Sequence, residues 1–438
     1  MEKIEYKQIN ETLYKEILDN GLKIFLLPKP GFHKTYGLFS TNYGSIDNTF
    51  GHTDETIQHV PDGIAHFLEH KLFEKEDGDV FHVFGEQGAS ANAFTSFTRT
   101  SYLFSASNRV KENLTTLLDF VQEPYFTKET VEKEKGIIGQ EIQMYEDDAN
   151  WRQFFGIIGN LFPNHPVHID IAGTVASIAE ITAEDLYLCY NTFYHPSNMT
   201  LFVVGDFEPN ELLDMIEQNQ AKKSFEPIRP IVRELPNETY EDITPYAQLE
   251  MPVTRTKSVV GIKGLLHHLP EEEMEKVKFR LSLQLLFQLL LGNTSDNYLE
   301  LYQKGIIDDT FGFELTIDRG FYFADFSSDT DQADEFEHAI KQILLTFDTS
   351  EAINEESLAL LKKKMLGKFF QSLNSLEFIA NQFTQDLYDT VTLFDIPEVI
   401  QSVELADVLK AGHSFIQEEA FSRFDVIPQL NKGNEDSL

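Results

Sequence analysis

The sequence predicts an α+β fold with two homologous α/β-sandwich domains, each containing a largely antiparallel sheet covered by helices. Strand-like and helix-like segments arrive in clusters instead of strict alternation, which favours antiparallel sheets. The second half repeats the order of segments in the first half in outline. Residues 221–245 hold four prolines without any periodicity and separate the halves. We therefore predict a first domain at 1–220, a linker at 221–245 and a second domain at 246–438.

The first half is predicted to open with strands and continue with helices. Runs of apolar and β-prone residues predict strands at Leu22–Leu27 and Thr35–Thr41. Apolar residues at three- and four-residue spacing after Pro61 predict a helix that begins near Ile64. The segment Ala89–Ala106 is rich in Thr, Phe, Tyr and Ser, which favours one extended strand. The pattern then predicts a helix from Lys128 to about Tyr145, a helix at Thr182–Phe193 and a strand at Thr200–Val204.

The second half is predicted to follow a similar order. Its elements are a strand at Ser258–Ile262, a helix at about Glu271–Leu291, a strand at about Phe311–Phe326, helices between Gln332 and Gln417, and a strand at Phe424–Ile427. The most apolar run, Leu281–Leu291, contains two Gln and is far shorter than the roughly 20 residues that a membrane span requires. We interpret this run as a buried helix and expect no membrane span.

Charge and cysteine content exclude several classes of protein. The 438 residues include 72 acidic and 35 basic side chains, a net charge of −37, and such a chain repels nucleic acid. Its single cysteine, Cys189, allows neither an internal disulfide nor a multi-thiolate metal site. The first 20 residues carry charges throughout and lack the apolar core of a secretory signal. We therefore expect a cytoplasmic protein.

The pentapeptide His66-Phe67-Leu68-Glu69-His70 is the most informative motif for chemistry. Residues four apart on a helix share a face, so both imidazoles can reach one metal ion. Glu69 precedes the second histidine and can face the open side of that ion. This HxxEH order is typical of one class of zinc peptidases. A surface helix with two aligned histidines is the structural alternative.

A hydrolytic zinc site needs a third protein ligand, and His₂Glu is a standard set. Glu141 is our preferred donor, on a predicted helix that also carries Glu134 two turns earlier. Spacing alone does not single out Glu141, because most glutamates in so acidic a chain are simply solvated.

Several motifs in a fixed order resemble the inverzincin peptidases of the pitrilysin and insulysin family, which includes the mitochondrial processing peptidase. They are the segments His66–Phe73, Gly88–Ser96, Glu134 to Glu141, and Tyr194 to Asp206. The likeness is greatest to short bacterial members that carry one two-domain half. The resemblance implies a zinc cofactor held by His66, His70 and Glu141. It also implies that Glu69 is the general base and that Glu134 supports the catalytic site.

The segment Ala89–Ala106 also has a functional interpretation. An exposed sheet edge can bind an extended peptide through main-chain hydrogen bonds, which favours unfolded substrates of varied sequence. The family resemblance assigns substrate binding to Asn92, Ala93 and Phe94. An ordinary strand of the sheet is the alternative.

One departure from the family pattern lies at Leu301–Asp308. Family members usually carry an Arg and a Tyr there that contact substrate, whereas this chain has Tyr302 and Asp308. Some members divide these tasks between two homologous chains. We therefore expect this to be the metal-bearing chain of such a heterodimer, with a homologous subunit that supplies the Arg and Tyr, or otherwise a homodimer.

The sequence thus predicts a zinc-dependent endopeptidase that cleaves unfolded peptides or small polypeptides inside a chamber. A noncatalytic assembly subunit of the same fold is one alternative. An enzyme dedicated to processing one peptide precursor is another, and the active-site residues do not separate it from a general peptidase.

Overall fold

The computed structural model describes residues 1–53, 55–385 and 390–429. Its strands are β1 (Glu2–Tyr6), β2 (Glu11–Ile17), β3 (Lys23–Pro28), β4 (Thr35–Thr41), β5 (Thr49–His52), β6 (Gln58–His59), β7 (Glu74–Lys75), β8 (Gly78–Asp79), β9 (Ala89–Thr95), β10 (Thr100–Ala106), β11 (Met199–Gly205), β12 (Ile231–Arg233), β13 (Tyr246–Met251), β14 (Thr256–Gly264), β15 (Gly312–Asp318), β16 (Phe321–Thr330) and β17 (Phe421–Pro428).

Its α-helices are α1 (Ile64–Leu72), α2 (Val80–Glu86), α3 (Val110–Gln122), α4 (Lys128–Asp147), α5 (Ala149–Leu161), α6 (Val175–Glu180), α7 (Ala183–Phe193), α8 (Pro209–Gln220), α9 (Glu273–Leu291), α10 (Asp296–Gln303), α11 (Ala333–Leu345), α12 (Glu355–Ser372), α13 (Leu376–Gln385), α14 (Ile396–Ser402) and α15 (Leu405–Phe415). In the described part of the chain, none of them is both long and apolar enough to cross a lipid bilayer.

The chain forms two compact units, each assembled from separate segments. The first unit comprises the described residues of Met1–Ile142, Asp170–Leu235 and Phe369–Asp395. The second comprises Gln143–Ile169, Pro236–Lys368 and the described residues from Ile396 on. These bounds differ from the consecutive domains 1–220 and 246–438 of the sequence prediction. A pattern-based division cannot detect such exchanged segments, because they are themselves ordinary helices.

The predicted linker, 221–245, is divided between the two units instead of standing apart from them. Within it, β12 pairs antiparallel with β5 and so belongs to a small sheet of the first unit. The Arg233 side chain of β12 also forms an ion pair with the buried Asp47, at 2.9 Å. These contacts fix a segment whose prolines predicted only a connector.

The first unit is organised around a seven-stranded sheet in the order β1-β2-β3-β11-β4-β10-β9. All neighbours are antiparallel except β3 and β11. Every residue of β4 and β11 is buried, as expected for central strands covered by helices. Helices α3 and α13 contact β4, and α1 and α2 contact β9. Strand β9 is therefore an edge strand beside α1.

The second unit contains a five-stranded sheet in the order β13-β17-β14-β16-β15. Its neighbours are antiparallel except β13 and β17. The same order occurs in the first unit as β3-β11-β4-β10-β9, again with the first pair parallel. In each of these five-strand sets the last strand in sequence thus lies between the first and second. This repeated topology agrees with the predicted α+β class and with two similar sheets covered by helices.

Two segments that were predicted as single strands are β-hairpins. Ala89–Ala106 divides into β9 and β10. The segment predicted as a strand at about Phe311–Phe326 corresponds to β15 and β16. The first turn is closed by the Ser96 N–H, which donates to the Arg99 carbonyl at 2.7 Å, and it contains neither Gly nor Pro. Without those residues, sequence periodicity gives little indication of a turn.

Candidate metal and substrate site

Helix α1 carries the HxxEH residues and is held almost entirely inside the first unit. Gly63 precedes the helix with a φ of 87°, a conformation that favours glycine. A Cβ at Gly63 would lie 2.3 Å from the carbonyl oxygen of Ala172, so no larger residue fits there without displacement. The apolar side chains of Phe67 and Leu68 are completely buried and fix the orientation of the helix. His66, Glu69 and His70 are thereby held on its opposite face.

The structure brings His66, His70 and Glu141 together. Their ligand atoms all lie within 4.8 Å of one another, and they form the one cluster of this kind among the described residues. The Nε2 atoms of His66 and His70 lie 3.7 Å and 3.5 Å from the two carboxylate oxygens of Glu141. Tetrahedral ligands about 2.0–2.2 Å from one zinc ion are roughly 3.3–3.6 Å apart. The 3.5 Å distance lies within this range and the 3.7 Å distance just above it, so a small adjustment allows two imidazoles and a carboxylate to bind one divalent ion.

The protonation of His66 also suits a metal ligand. Only 8 % of this residue is exposed, and burial together with the neighbouring His70 lowers the pKa of His66 to about 3. The imidazole is therefore neutral near pH 7, and a neutral imidazole is the form that binds a metal. Its Nδ1 atom is buried without a hydrogen-bond partner in the described part of the chain.

His70 differs from His66 because its second nitrogen is engaged. Its Nδ1 lies 3.0 Å from the Glu134 carboxylate, and Glu134 is itself buried. Burial alone would lower the pKa of His70, but the hydrogen bond to Glu134 and the nearby Glu69 and Glu141 raise it overall. Burial would raise the pKa of Glu134, but the hydrogen bond to His70 together with the charges of His70, Lys71 and Lys133 lowers that pKa overall. A carboxylate on the second nitrogen is the usual way to orient a metal-ligating histidine.

Glu69 lies on the same helix face, and its carboxylate interacts electrostatically with His70. The Thr95 hydroxyl donates a hydrogen bond to its Oε2 atom at 2.7 Å. Burial raises the pKa of Glu69 to about 6, although the Thr95 hydrogen bond and His70 act in the opposite direction. A carboxyl group with a pKa near neutrality can both accept and release a proton.

A cleft of about 710 Å³ opens beside Glu69, His70 and Glu134. Asn92 and Ala93 of β9 line it, so two of the three predicted substrate residues share a cavity with His70, one of the predicted metal ligands. Phe73 and Phe81 stack at 4.2 Å and form an apolar wall of the cleft together with Ile137. The cleft therefore combines this apolar wall with charged side chains, among them Lys75, Asp79 and Lys133.

The geometry distinguishes the three predicted substrate residues. The Ser96 N–H donates to the Arg99 carbonyl across the hairpin, and hydrogen-bonded positions alternate along an antiparallel ladder. The main-chain groups of Asn92 and Phe94 therefore face β10, whereas those of Ala93 face the free edge. The Ala93 N–H donates to the Asn92 side-chain oxygen at 2.9 Å, as expected for an N–H outside the ladder.

The side chains of Asn92 and Phe94 have separate surroundings. Asn92 is exposed at the edge. The Phe94 ring lies 5.0 Å from the Arg99 guanidinium carbon, in a cation–π contact. Arg99 in turn donates to the Thr384 hydroxyl of α13 at 2.5 Å, so this contact fixes the end of the hairpin within the first unit.

Sequence reasoning did not identify Thr95 or the apolar wall around Phe81. Thr95 belongs to the Gly88–Ser96 motif, but its contact with Glu69 depends on β9 lying beside α1. Phe81 lies eleven residues after His70 on a short helix, and no feature other than its exposed position indicates that it belongs to the site.

The segment Leu301–Asp308, which differs from the family pattern, makes contacts within the second unit. Asp308 forms an ion pair with Arg255 at 2.6 Å. Burial would raise the pKa of Asp308, but hydrogen bonds from Thr310 and Arg255 lower it overall. The Asp308 carboxylate is therefore charged, and the positive charge of Arg255 balances it. Arg255 also lies 3.4 Å from Asp331, so two acids neutralise this guanidinium.

The fold and the site together define the inverzincin class, in which a helical HxxEH motif supplies two metal ligands and an acidic residue. Residues 50–174 match the family model described as insulinase, peptidase family M16, and residues 180–365 match the model described as the peptidase M16 inactive domain. The chain belongs to peptidase family M16, which confirms the family resemblance seen in the sequence.

Individual relatives agree with this assignment. The chain is 50 % identical over 427 residues to the uncharacterized zinc protease YmfH of Bacillus subtilis, covering 97 % of this chain and 99 % of that protein. The crystal structure of an M16-like peptidase from Alicyclobacillus acidocaldarius superposes with a TM-score of 0.90 at 35 % identity, covering 96 % and 99 % of the two chains. The fold of the periplasmic protease PqqL from Escherichia coli is also similar, with a TM-score of 0.70 at 20 % identity, but there the match spans 98 % of this chain and 48 % of PqqL.

Proposed function

We propose that this protein is a zinc-dependent endopeptidase that cleaves unfolded peptides or small polypeptides. The observation that carries the proposal is the convergence of His66, His70 and Glu141, whose facing atoms are 3.5 Å and 3.7 Å apart. The name of the relative YmfH as a zinc protease supports zinc as the ion. The donor set supports it too, because His₂Glu is a standard set in zinc peptidases.

Each residue of the site has a separate chemical role in the proposed reaction. Zinc, when bound, supplies a Lewis acid that makes water nucleophilic near neutral pH. Glu69 accepts the proton of the attacking water and returns it to the leaving amine of the cleaved peptide bond. Glu134 holds the Nδ1 side of His70 and thereby orients that ligand. Burial of Glu69 and His66 limits competing water around the reacting groups.

The substrate is proposed to bind as an additional strand on the outer edge of β9. Ala93 offers main-chain groups at that edge, and the Asn92 side chain lies beside them. Main-chain pairing gives affinity with little sequence preference, which favours extended and unfolded peptides. The apolar wall of Phe73, Phe81 and Ile137 favours an apolar substrate residue next to the cleaved bond.

We further propose that this chain acts with a homologous second chain that encloses the substrate in a chamber. Tyr302 and Asp308 occupy the positions of the usual substrate-binding Arg and Tyr, and Asp308 is paired internally with Arg255. The match to only 48 % of PqqL is consistent with a fold that can occur as part of a longer peptidase chain. The partner would supply the missing Arg and Tyr.

A cytoplasmic location is part of the proposal and is supported by the single cysteine.

A noncatalytic assembly role is less well supported than catalysis. The match to the inactive-domain model covers residues 180–365, whereas His66, Glu69, His70 and Glu141 all precede it. A dedicated precursor-processing enzyme would use the same site residues and differs only in its substrate.

Substitution of Glu69 by Gln tests the proposed function. The variant keeps the size and hydrogen bonding of the side chain but removes the base, so we expect turnover to fall by roughly 10²–10⁴. Zinc per chain, measured by atomic emission on the purified protein, should remain near one. Turnover is measured on an unfolded fluorogenic peptide library, with and without the homologous chain.

The exposed Glu129 on α4 offers a matched control, because Glu129→Gln changes the same functional group away from the cleft. That variant should retain the activity of the unmodified protein. Undiminished cleavage by Glu69→Gln, or a protein that contains no zinc, would contradict the proposed function.

A further inference from the structure

We infer that Thr95 is the residue that orients the general base, by holding one carboxylate oxygen of Glu69 through its hydroxyl. This inference rests on the proposed function. Its foundation is the 2.7 Å hydrogen bond from Thr95 Oγ1 to Glu69 Oε2. In the described part of the chain, this hydroxyl is the one side-chain donor bonded to that carboxylate.

The hydrogen bond assigns different tasks to the two oxygens of Glu69. Oε2 accepts from Thr95, so Oε1 remains to accept the proton of the attacking water. Glu69 is 8 % exposed, which leaves few water molecules to hold the carboxylate if the hydroxyl is removed. A glutamate side chain has several rotatable bonds, and a fixed contact selects one orientation among them. Thr95 keeps its own proton throughout, while the proton taken from water passes to Glu69 and then to the leaving amine.

Thr95 is well suited to this task because its own position is fixed by the sheet. It is the last residue of β9 and pairs with Thr100 of β10. The Thr100 hydroxyl donates to the Tyr43 carbonyl at 2.9 Å and is fully buried. Strand β10 lies between β9 and β4 in the seven-stranded sheet. Catalytic groups supported from such rigid elements keep their geometry better than those supported from loops.

The same strand therefore serves the base and the proposed substrate edge. The alternation of the ladder directs the main-chain groups of Thr95 outward, as it does those of Ala93. The Thr95 side chain meanwhile reaches Glu69 on α1. A peptide paired with β9 is thus held in register with the carboxylate that acts on it, because one residue contacts both.

The test compares Thr95→Val with Thr95→Ser in the full-length, zinc-loaded protein. Valine keeps the shape of threonine and the preference for strands but removes the hydroxyl, whereas serine keeps the hydroxyl. We expect Thr95→Val to lower kcat roughly 10- to 100-fold with little change in KM, because small displacements of a catalytic group carry penalties of that order. Thr95→Ser should stay close to the unmodified protein, and both variants should retain zinc.

A double variant separates orientation of the base from a general structural effect. When Glu69 is already Gln, the further change Thr95→Val should leave the residual rate unchanged, because the base that Thr95 orients is absent. Thr115→Val, which removes a hydroxyl that donates to the Lys111 carbonyl within α3, is the control and should behave like the unmodified protein.

Three results would overturn the inference. They are unchanged kcat in Thr95→Val, an equal loss in Thr95→Val and Thr95→Ser, and a further loss of rate when Thr95→Val is added to Glu69→Gln. A failure of the proposed function is distinguishable, because in that case the unmodified protein would not cleave peptides or Glu69→Gln would match it.

Discussion

The two histidines of the site are held in different ways. His70 has a carboxylate on its second nitrogen, whereas the second nitrogen of His66 is buried without a hydrogen-bond partner in the described residues. His70 is therefore oriented by polar contacts and His66 by the packing of α1. This asymmetry makes Glu134 important for metal affinity although it does not touch the ion position itself.

Removal of the Glu134 charge should weaken zinc binding. In Glu134→Gln the hydrogen bond to His70 loses its ionic character. We therefore expect zinc affinity to fall by roughly 10- to 100-fold, as is typical when the hydrogen-bond partner of a metal-ligating histidine is replaced. Competition with a chromophoric chelator measures the change. Glu129→Gln on the same helix is the control, and equal zinc affinity in both variants would contradict this role of Glu134.

Sequence reasoning located some of the site residues and not others for identifiable reasons. His66 and His70 are four residues apart on one helix, so local periodicity is sufficient to bring them together. Glu141 lies 71 residues beyond His70, and no local rule selects it among so many acids. The family resemblance pointed to it, and the fold then placed it within 3.5 Å of His70. Thr95 was missed because its role depends on contact between a strand and a helix.

Element boundaries show the same division between local and nonlocal information. The predicted strand Thr35–Thr41 agrees with β4, since a short run of apolar and β-prone residues between polar turns defines it. The hairpin at Ala89–Ala106 was missed because its turn contains Phe97 and Thr98 instead of Gly or Asn. That turn matters for the proposed substrate binding, since it makes β9 a free edge beside α1.

Main-chain recognition by β9 predicts a periodic effect of N-methylation in a peptide substrate. Each N-methyl group removes one donor, and only alternate amides of a strand face its neighbour. At those alternate positions we expect KM to rise roughly two- to tenfold, because a hydrogen bond contributes on the order of 0.5–1.5 kcal/mol. The intervening positions should show little change. Steady-state kinetics on a singly methylated series measures this, and a uniform or absent effect would contradict strand addition.

The two units share one strand order even though their segments are exchanged along the chain. The order β3-β11-β4-β10-β9 corresponds to β13-β17-β14-β16-β15, but among the described residues only the first unit has a group of side chains that could bind a metal ion. Two similar sheets could be predicted from the repeated order of segments. The exchange of Gln143–Ile169 and Phe369–Asp395 could not, because helix periodicity carries no information about the sheet on which a helix packs.

At the scale of the whole molecule, we expect cleavage to depend on a second, homologous chain that carries the Arg and Tyr. Mixing the two purified chains should raise kcat/KM by roughly tenfold or more, because a hydrogen bond from a charged donor contributes on the order of 1.5–3 kcal/mol. Peptide cleavage and sedimentation of the mixture measure activity and pairing together. Full activity of this chain alone would contradict the heterodimer and leave the zinc site unaffected.

Anomalous X-ray diffraction at the zinc absorption edge, from crystals of the zinc-loaded protein, tests directly whether His66, His70 and Glu141 bind one zinc ion. We expect one strong peak, with the Nε2 atoms of His66 and His70 and the Glu141 carboxylate each at about 2.0–2.2 Å from it. Glu69 should lie beside the ion without binding it. A peak elsewhere, or an ion bound without Glu141, would contradict the account.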